Sequence, residues 1–170
     1  ILNSADALCK ALGIPLSSEN QFNEVAISEP FYGVYKGQAA LPMEPETIYL
    51  MESQLLKDCT VYDFESGGTG TVYDMEKLTS KDLYDVYLSG SRSLLTIENP
   101  HAQTDRELIV FRDSFGSSLI PLLVQDYKTV TIVDIRYISS QLLSTYLEFN
   151  GQDVLLLYST TVLNNGTLLK

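Results

Sequence analysis

Several residue types are scarce in this chain, and each shortage excludes something. Its 170 residues hold two cysteines, one histidine and no tryptophan. Cys9 and Cys59 are too few and too scattered for a thiolate metal cluster or a disulfide framework. Cys9 falls on the apolar face of a helix and reads as a small core residue. Positive charge is also short, with 11 Lys and Arg against 22 Asp and Glu, a net charge of −11. Nucleic-acid backbones require clustered Lys and Arg, so no nucleic-acid partner is expected. Anionic membrane surfaces are disfavoured for the same reason, and no apolar run approaches spanning length. No secretory signal is visible. The chain opens at Ile1 rather than Met, however, so it reads as a trimmed piece of a longer protein.

A hydrophobic content of 45% over 170 residues suits one soluble domain with a substantial core. Ala5, Leu8, Cys9 and Leu12 share one face of a helix over 4–12, which Gly13 and Pro15 stop. Residues 15–47 carry four prolines and read as irregular, with a short strand near Gly33-Val-Tyr35. Residues 48–56 read as a short helix. A near-repeat follows, Thr60-Val-Tyr-Asp63 and Thr71-Val-Tyr-Asp74, separated by Ser66-Gly-Gly-Thr-Gly70. Period-2 alternation predicts a hairpin with Tyr62 and Phe64 matched by Tyr73 and Met75 on one face. A phosphate-cradling loop at Gly67–Gly70 lacks the following lysine and helix. Residues 80–89 predict a helical turn or two ended by Gly90, and 94–97 a strand.

From there strands and helices alternate. Strand 107–112 feeds a helical segment over 115–127, which Pro121 should kink. Strand 129–133 feeds a helix near 137–149, capped by Asn150-Gly151, and strand 154–158 leads into a polar tail. Three apolar strands separated by helical crossovers predict parallel pairing. Such strands end on one edge, where open α/β sheets bind ligands. That edge gathers Asp113, Ser114, Asp134 and Ser159.

The centre of the chain is Glu107-Leu-Ile-Val-Phe-Arg-Asp-Ser-Phe-Gly-Ser-Ser-Leu-Ile120. A strand stops at Arg112-Asp113-Ser114 and a helical segment opens. Ser114 there has the placement of an acyl-transfer nucleophile, with turn N–H groups to receive an oxyanion. The alternative is a plain N-cap serine. Asp113, Asp134 and Arg136 are candidate substrate contacts, although Asp134 and Arg136 also suit a structural ion pair at a strand end.

Residues 107–123, together with Thr131-Ile-Val-Asp-Ile-Arg-Tyr137, Ser80-Lys-Asp-Leu-Tyr-Asp-Val-Tyr-Leu-Ser-Gly90 and Ala5-Asp-Ala-Leu-Cys-Lys-Ala-Leu-Gly13, resemble the C-terminal part of the DHHW family. These are bacterial SGNH-hydrolase-like proteins related to acetyltransferases of exported polysaccharides. The resemblance implies an SGNH-like three-layer α/β fold over residues 1–170, with a mostly parallel central sheet and the hairpin beside it. It implies an extracellular or cell-surface setting and an acylated glycan as partner. It also implies Ser114 as nucleophile and Gly90 with Ser91 at the oxyanion. No cofactor or metal is expected.

Two departures stand out. The family's Asp-His-His-Trp motif, which carries the base, is absent and would end just upstream of Ile1. Ser91 stands where the family commonly has Asn, and losing such a donor costs about 100- to 1000-fold in rate. His101 could pair with Asp105 as a substitute base, but loop histidines beside Asn and Pro are usually solvated. Without a base, Ser114 remains a protonated alcohol. The readings are therefore a truncated acyltransferase or esterase acting on carbohydrate O-acyl groups, or an inactive carbohydrate-binding domain using its 11 tyrosines. A weaker third is a phosphoacceptor or metal phosphatase built on Asp113 and Asp134.

Overall fold

The computed structural model describes residues 1–14, 22–33 and 42–165. Its centre is a six-stranded sheet of order β4-β3-β5-β7-β6-β8. The strands are β3 Thr60–Asp63, β4 Gly68–Gly70, β5 Leu94–Glu98, β6 Glu107–Arg112, β7 Thr129–Val133 and β8 Asp153–Leu157. β6 runs parallel to both β7 and β8, as the apolar runs predict. The other three pairings are antiparallel, so the sheet is mixed rather than mostly parallel. Helical crossovers link β6, β7 and β8, while β4 and β5 run against them and β3 runs with them.

Alternation along the strands decides what covers each face. Leu95, Ile97, Leu108, Val110, Val130 and Ile132 point into the larger core. Helix α1 (Leu2–Ala11) packs there through Cys9, joined by Leu55 and Leu56 from the helix Gln54–Asp58 and by residues 120–127. Leu94, Ile109 and Val133 point the opposite way, onto Ile138 and Leu143, the latter from the helix Ser140–Tyr146. The sheet is thus covered on both faces, in the α/β manner expected.

The stretch read as irregular contains a strand, β1 (Asn23–Phe31), which pairs antiparallel with β2 (Glu46–Glu52) in a separate two-stranded ribbon. Its register shifts on either side of Ser28 match a strand that carries Pro30, a residue confined to edges and bulges. The helix expected over 48–56 is mostly strand. Ile48 and Leu50 are buried while Tyr49 is exposed, so the period is two; the helix starts only at Gln54. Ser53 caps it, accepting from the Leu56 N–H at 3.2 Å. The strand expected near Gly33-Val-Tyr35 lies largely outside the described residues.

The hairpin exists in a different register. The turn closes early, with Gly67 at φ +67° donating to Asp63 O at 2.9 Å. Tyr62 therefore faces Thr69, not Tyr73. The second half of the near-repeat pairs elsewhere, where Tyr73 bridges Tyr87 and Val72 O accepts from the Leu88 N–H. Pro121 does not kink a helix either. It starts a 3-10 helix, Ile120–Asp126, as proline does at a first turn.

Candidate active site

Topology alone brings Ser114 to the sheet edge where β6 ends. The turn there is a single 3-10 turn, Ser114–Gly116, rather than the start of a longer α-helix. Asp113 holds it, one carboxylate oxygen accepting from the Phe115 N–H at 3.0 Å and the other from the Ser159 N–H at 2.7 Å. The Phe115 amide is thereby engaged, and the Gly116 amide donates to Asp113 O. Among the described residues nothing bonds the Ser114 N–H or its hydroxyl. Ser114 is half-buried, with Phe115 beside it 55% exposed. Asp113 therefore caps the turn, and Ser114, the residue proposed for capping on the plain reading, is left open.

Under this turn lies Arg112, fully buried at the end of β6. Its Nη1 donates to Ser117 Oγ at 3.1 Å and reaches Asp113 O at 3.5 Å. Its Nη2 donates to Gly90 O at 3.2 Å. Asp134 Oδ2 lies 3.9 Å from Nη1, and Nε is buried without a partner. Burial pulls the guanidinium below the usual arginine range, with Asp134 opposing that shift. Gly116 packs directly on the arginine stem, since a Cβ there would stand 3.1 Å from Arg112 Cβ and from Leu157 Cδ2.

The segment 88–91 arrives at the same place by strained backbone. Leu88, Ser89 and Gly90 are consecutively left-handed, at φ 55°, 55° and 81°. A Cβ at Gly90 would clash with the Asp85 carboxylate and stand 3.1 Å from its Cβ, and at φ +81° an L side chain is strained as well, so the position favours glycine. The Gly90 N–H donates to Tyr87 O and its carbonyl accepts from Arg112. The one donor that Gly90 could offer an oxyanion, its N–H, is thus engaged, which leaves exposed Ser91 of that pair.

Asp134 and Arg136 form the ion pair weighed from sequence. Arg136 donates from Nε at 2.8 Å and from Nη2 at 2.6 Å, and this raises its already high pKa further. Asp134 is wholly buried and Asp113 nearly so, and their oxygens are engaged as described. A phosphoacceptor or metal role for the two loses its footing, because neither carboxylate is open. Tyr158, next along from β8, buries a hydroxyl with no partner; burial, then Asp134 and Asp113, push it up to about 12.

His101 is elsewhere. Its Nε2 lies 2.7 Å from Asp58 Oδ2, whose other oxygen accepts from Gln54 at 2.9 Å. These bonds, His101 first, hold the Asp58 carboxyl below its usual range. Asp105 pairs with Lys128 at 2.7 Å instead. The loop between β5 and β6 borders the starting edge of the parallel strands, because Glu98 pairs with Thr129 and Thr129 with Glu107. Ser114 lies past the opposite end of six-residue β6, about 20 Å away along the strand. A cleft lined by Asp58, Glu98, Asn99 and Lys128 also opens at the His101 edge, away from Ser114.

Sequence reasoning missed Arg112, Tyr84 and Tyr158. Tyr84 donates to Ser118 Oγ at 2.8 Å across 34 residues, and burial raises its hydroxyl. The signal for Arg112 was present, as a charge directly continuing the apolar run 108–111.

No protein-family model and no curated protein matches the chain. Solved structures do match in fold. Bacillus cereus PatB1 carrying a sulfonyl adduct aligns with a TM-score of 0.66 at 17% identity, over 95% of this chain and 57% of that one. A DHHW family protein from Eubacterium siraeum aligns with a TM-score of 0.66 at 20% identity, over 98% of this chain and 55% of that one. A second PatB1 structure gives 0.61 at 19% identity, over 84% and 50%. This chain thus shares a fold with PatB1 and with a DHHW family protein, and it spans little more than half the length of either.

Proposed function

We propose that this chain is the SGNH-like part of an extracellular acyltransferase or esterase acting on carbohydrate O-acyl groups, with Ser114 as nucleophile. The observation that carries the reading is the state of Ser114. Its hydroxyl and its N–H are both open at the end of the central parallel strand, on a turn pinned from both sides by Asp113. Oγ attacks the acyl carbonyl carbon as its proton passes to a base. The carbonyl oxygen becomes the oxyanion, facing the Ser114 N–H and Ser91. Collapse expels the donor alkoxide, which takes up the proton, and leaves an acyl-serine. Water or a sugar hydroxyl then attacks that ester and frees the serine.

The base in this reading is an Asp-held histidine from sequence outside these 170 residues, because His101 stands at the far edge. Exposed aromatic surface at the Ser114 edge, Phe115 at 55% and Tyr137 at 56%, suits the apolar face of a sugar ring. The sulfonyl adduct on PatB1 adds support, since sulfonyl electrophiles add to activated nucleophiles.

The test is turnover of 4-nitrophenyl acetate by the natural full-length protein. Ser114→Ala is expected to lower kcat/KM by at least about 1000-fold. Equal turnover by the variant contradicts the proposal. No turnover by either, with retained glycan binding, leaves the inactive carbohydrate-binding domain.

A further inference from the structure

The buried arginine has no explanation in stability. A guanidinium taken fully out of water carries a large desolvation penalty, and a well-packed apolar residue of like volume often serves as well or better. Arg112 bears that penalty with its nearest carboxylate at 3.9 Å and its Nε unpaired. Its partners lie on separate segments. Gly90 O belongs to the strained 88–91 segment, Asp113 O and Ser117 Oγ to the serine turn, and Asp134 to the end of β7.

Gly90 and Ser114 are 24 positions apart in sequence, and a rigid planar fork is what holds such segments at a fixed spacing. We infer that Arg112 is a positioning residue that clamps the 88–91 segment to the serine turn and so sets the gap between Ser91 and the Ser114 N–H. One arm donates to the Gly90 carbonyl and the other to Ser117 Oγ, reaching Asp113 O as well, which no lysine ammonium can match as a two-armed fork. Left-handed Leu88 and Ser89 explain why a clamp is needed, because that backbone conformation is disfavoured for residues with a side chain unless the surroundings restrain it.

The inference rests on the acyl-transfer reading for its chemical consequence, but not for its structural one, and the test separates the two. Hydrogen exchange of the 170-residue chain compares the peptide covering 88–92 with those covering β5 and β7. In Arg112→Met, exchange at 88–92 is expected to rise at least about tenfold while the strand peptides keep their protection. Arg112→Lys should fall between the two, keeping one donor. In the full-length protein, saturable labelling by a sulfonyl fluoride should slow by about 10- to 100-fold in its limiting rate, with half-saturation unmoved, as expected for a misplaced donor. Unchanged exchange at 88–92 in Arg112→Met overturns the clamp. Collapse of strand protection in both variants also overturns it, since Arg112 would then serve only the fold. Faster exchange with no labelling even of the wild type retains the clamp and removes the acyl-transfer reading.

Discussion

At the scale of single residues, burial sets the chemistry. Cys9 and Cys59 are free and 1% and 3% exposed, and burial pushes the Cys59 thiol up to about 12. Both thiols should therefore resist iodoacetamide at pH 8 until the protein unfolds, with reaction tracking the urea transition. Gly90 is the most crowded of the described glycines. Gly90→Ala needs an L side chain at φ +81° and a displaced Asp85, and should cost at least about 1–2 kcal/mol in urea unfolding.

Asp153 gives the pH dependence. Its carboxylate accepts from the Tyr127 hydroxyl at 2.8 Å and from Arg106 at 2.6 Å, and these bonds, Tyr127 first, hold its pKa below the ordinary 3.8. The unfolded chain then takes up this proton before the folded one does. The contribution is present above pH 3.8 and is lost as pH falls through the lower folded value. The carboxylate is 37% exposed and screened by solvent, so Asp153→Asn should cost only about 1 kcal/mol at pH 7. That difference should fade in unfolding curves as pH drops through the folded value of Asp153.

At the scale of elements, what could be read in advance was whatever a local period decides. The strands at 94–98, 107–112, 129–133 and 153–157 are long apolar runs between turn signals, and each lies within a residue or so of expectation. The β1–β2 ribbon was hidden by proline and by an apolar stretch, 48–51, too short to separate strand from helix. Its partners are also remote in sequence, for Tyr73 and Tyr87 donate to Met51 O at 3.0 Å and Tyr49 O at 2.6 Å. The hairpin failed on one backbone angle, since a left-handed Gly67 ends the turn before the repeated motif can pair. Ser114 was visible because a strand's end fixes where the next residue sits. The use of Gly90, with its carbonyl on Arg112 and its amide on Tyr87, was not visible, because it depends on contacts 22 residues away and on strain that composition does not encode.

At the scale of the molecule, the free side of β8 is conspicuous. Among the described residues β8 pairs only with β6, and its Val154 and Leu156 are 48% and 69% exposed. Unpaired apolar edges template association. The 170-residue chain is therefore expected to self-associate at tens of micromolar by sedimentation, and Leu156→Lys to restore a monomer. The two ends of the sheet are chemically separate as well, with Ser114 at one and the His101–Asp58 pair at the other. The central claim is that the first edge does acyl chemistry and the second does not. The most direct measurement is peptide mapping after a sulfonyl fluoride is added to the full-length protein. A sulfonyl mass on the peptide containing Ser114, kept in His101→Ala and lost in Ser114→Ala, is the predicted result; an adduct that survives Ser114→Ala, or one that disappears with His101→Ala, contradicts it.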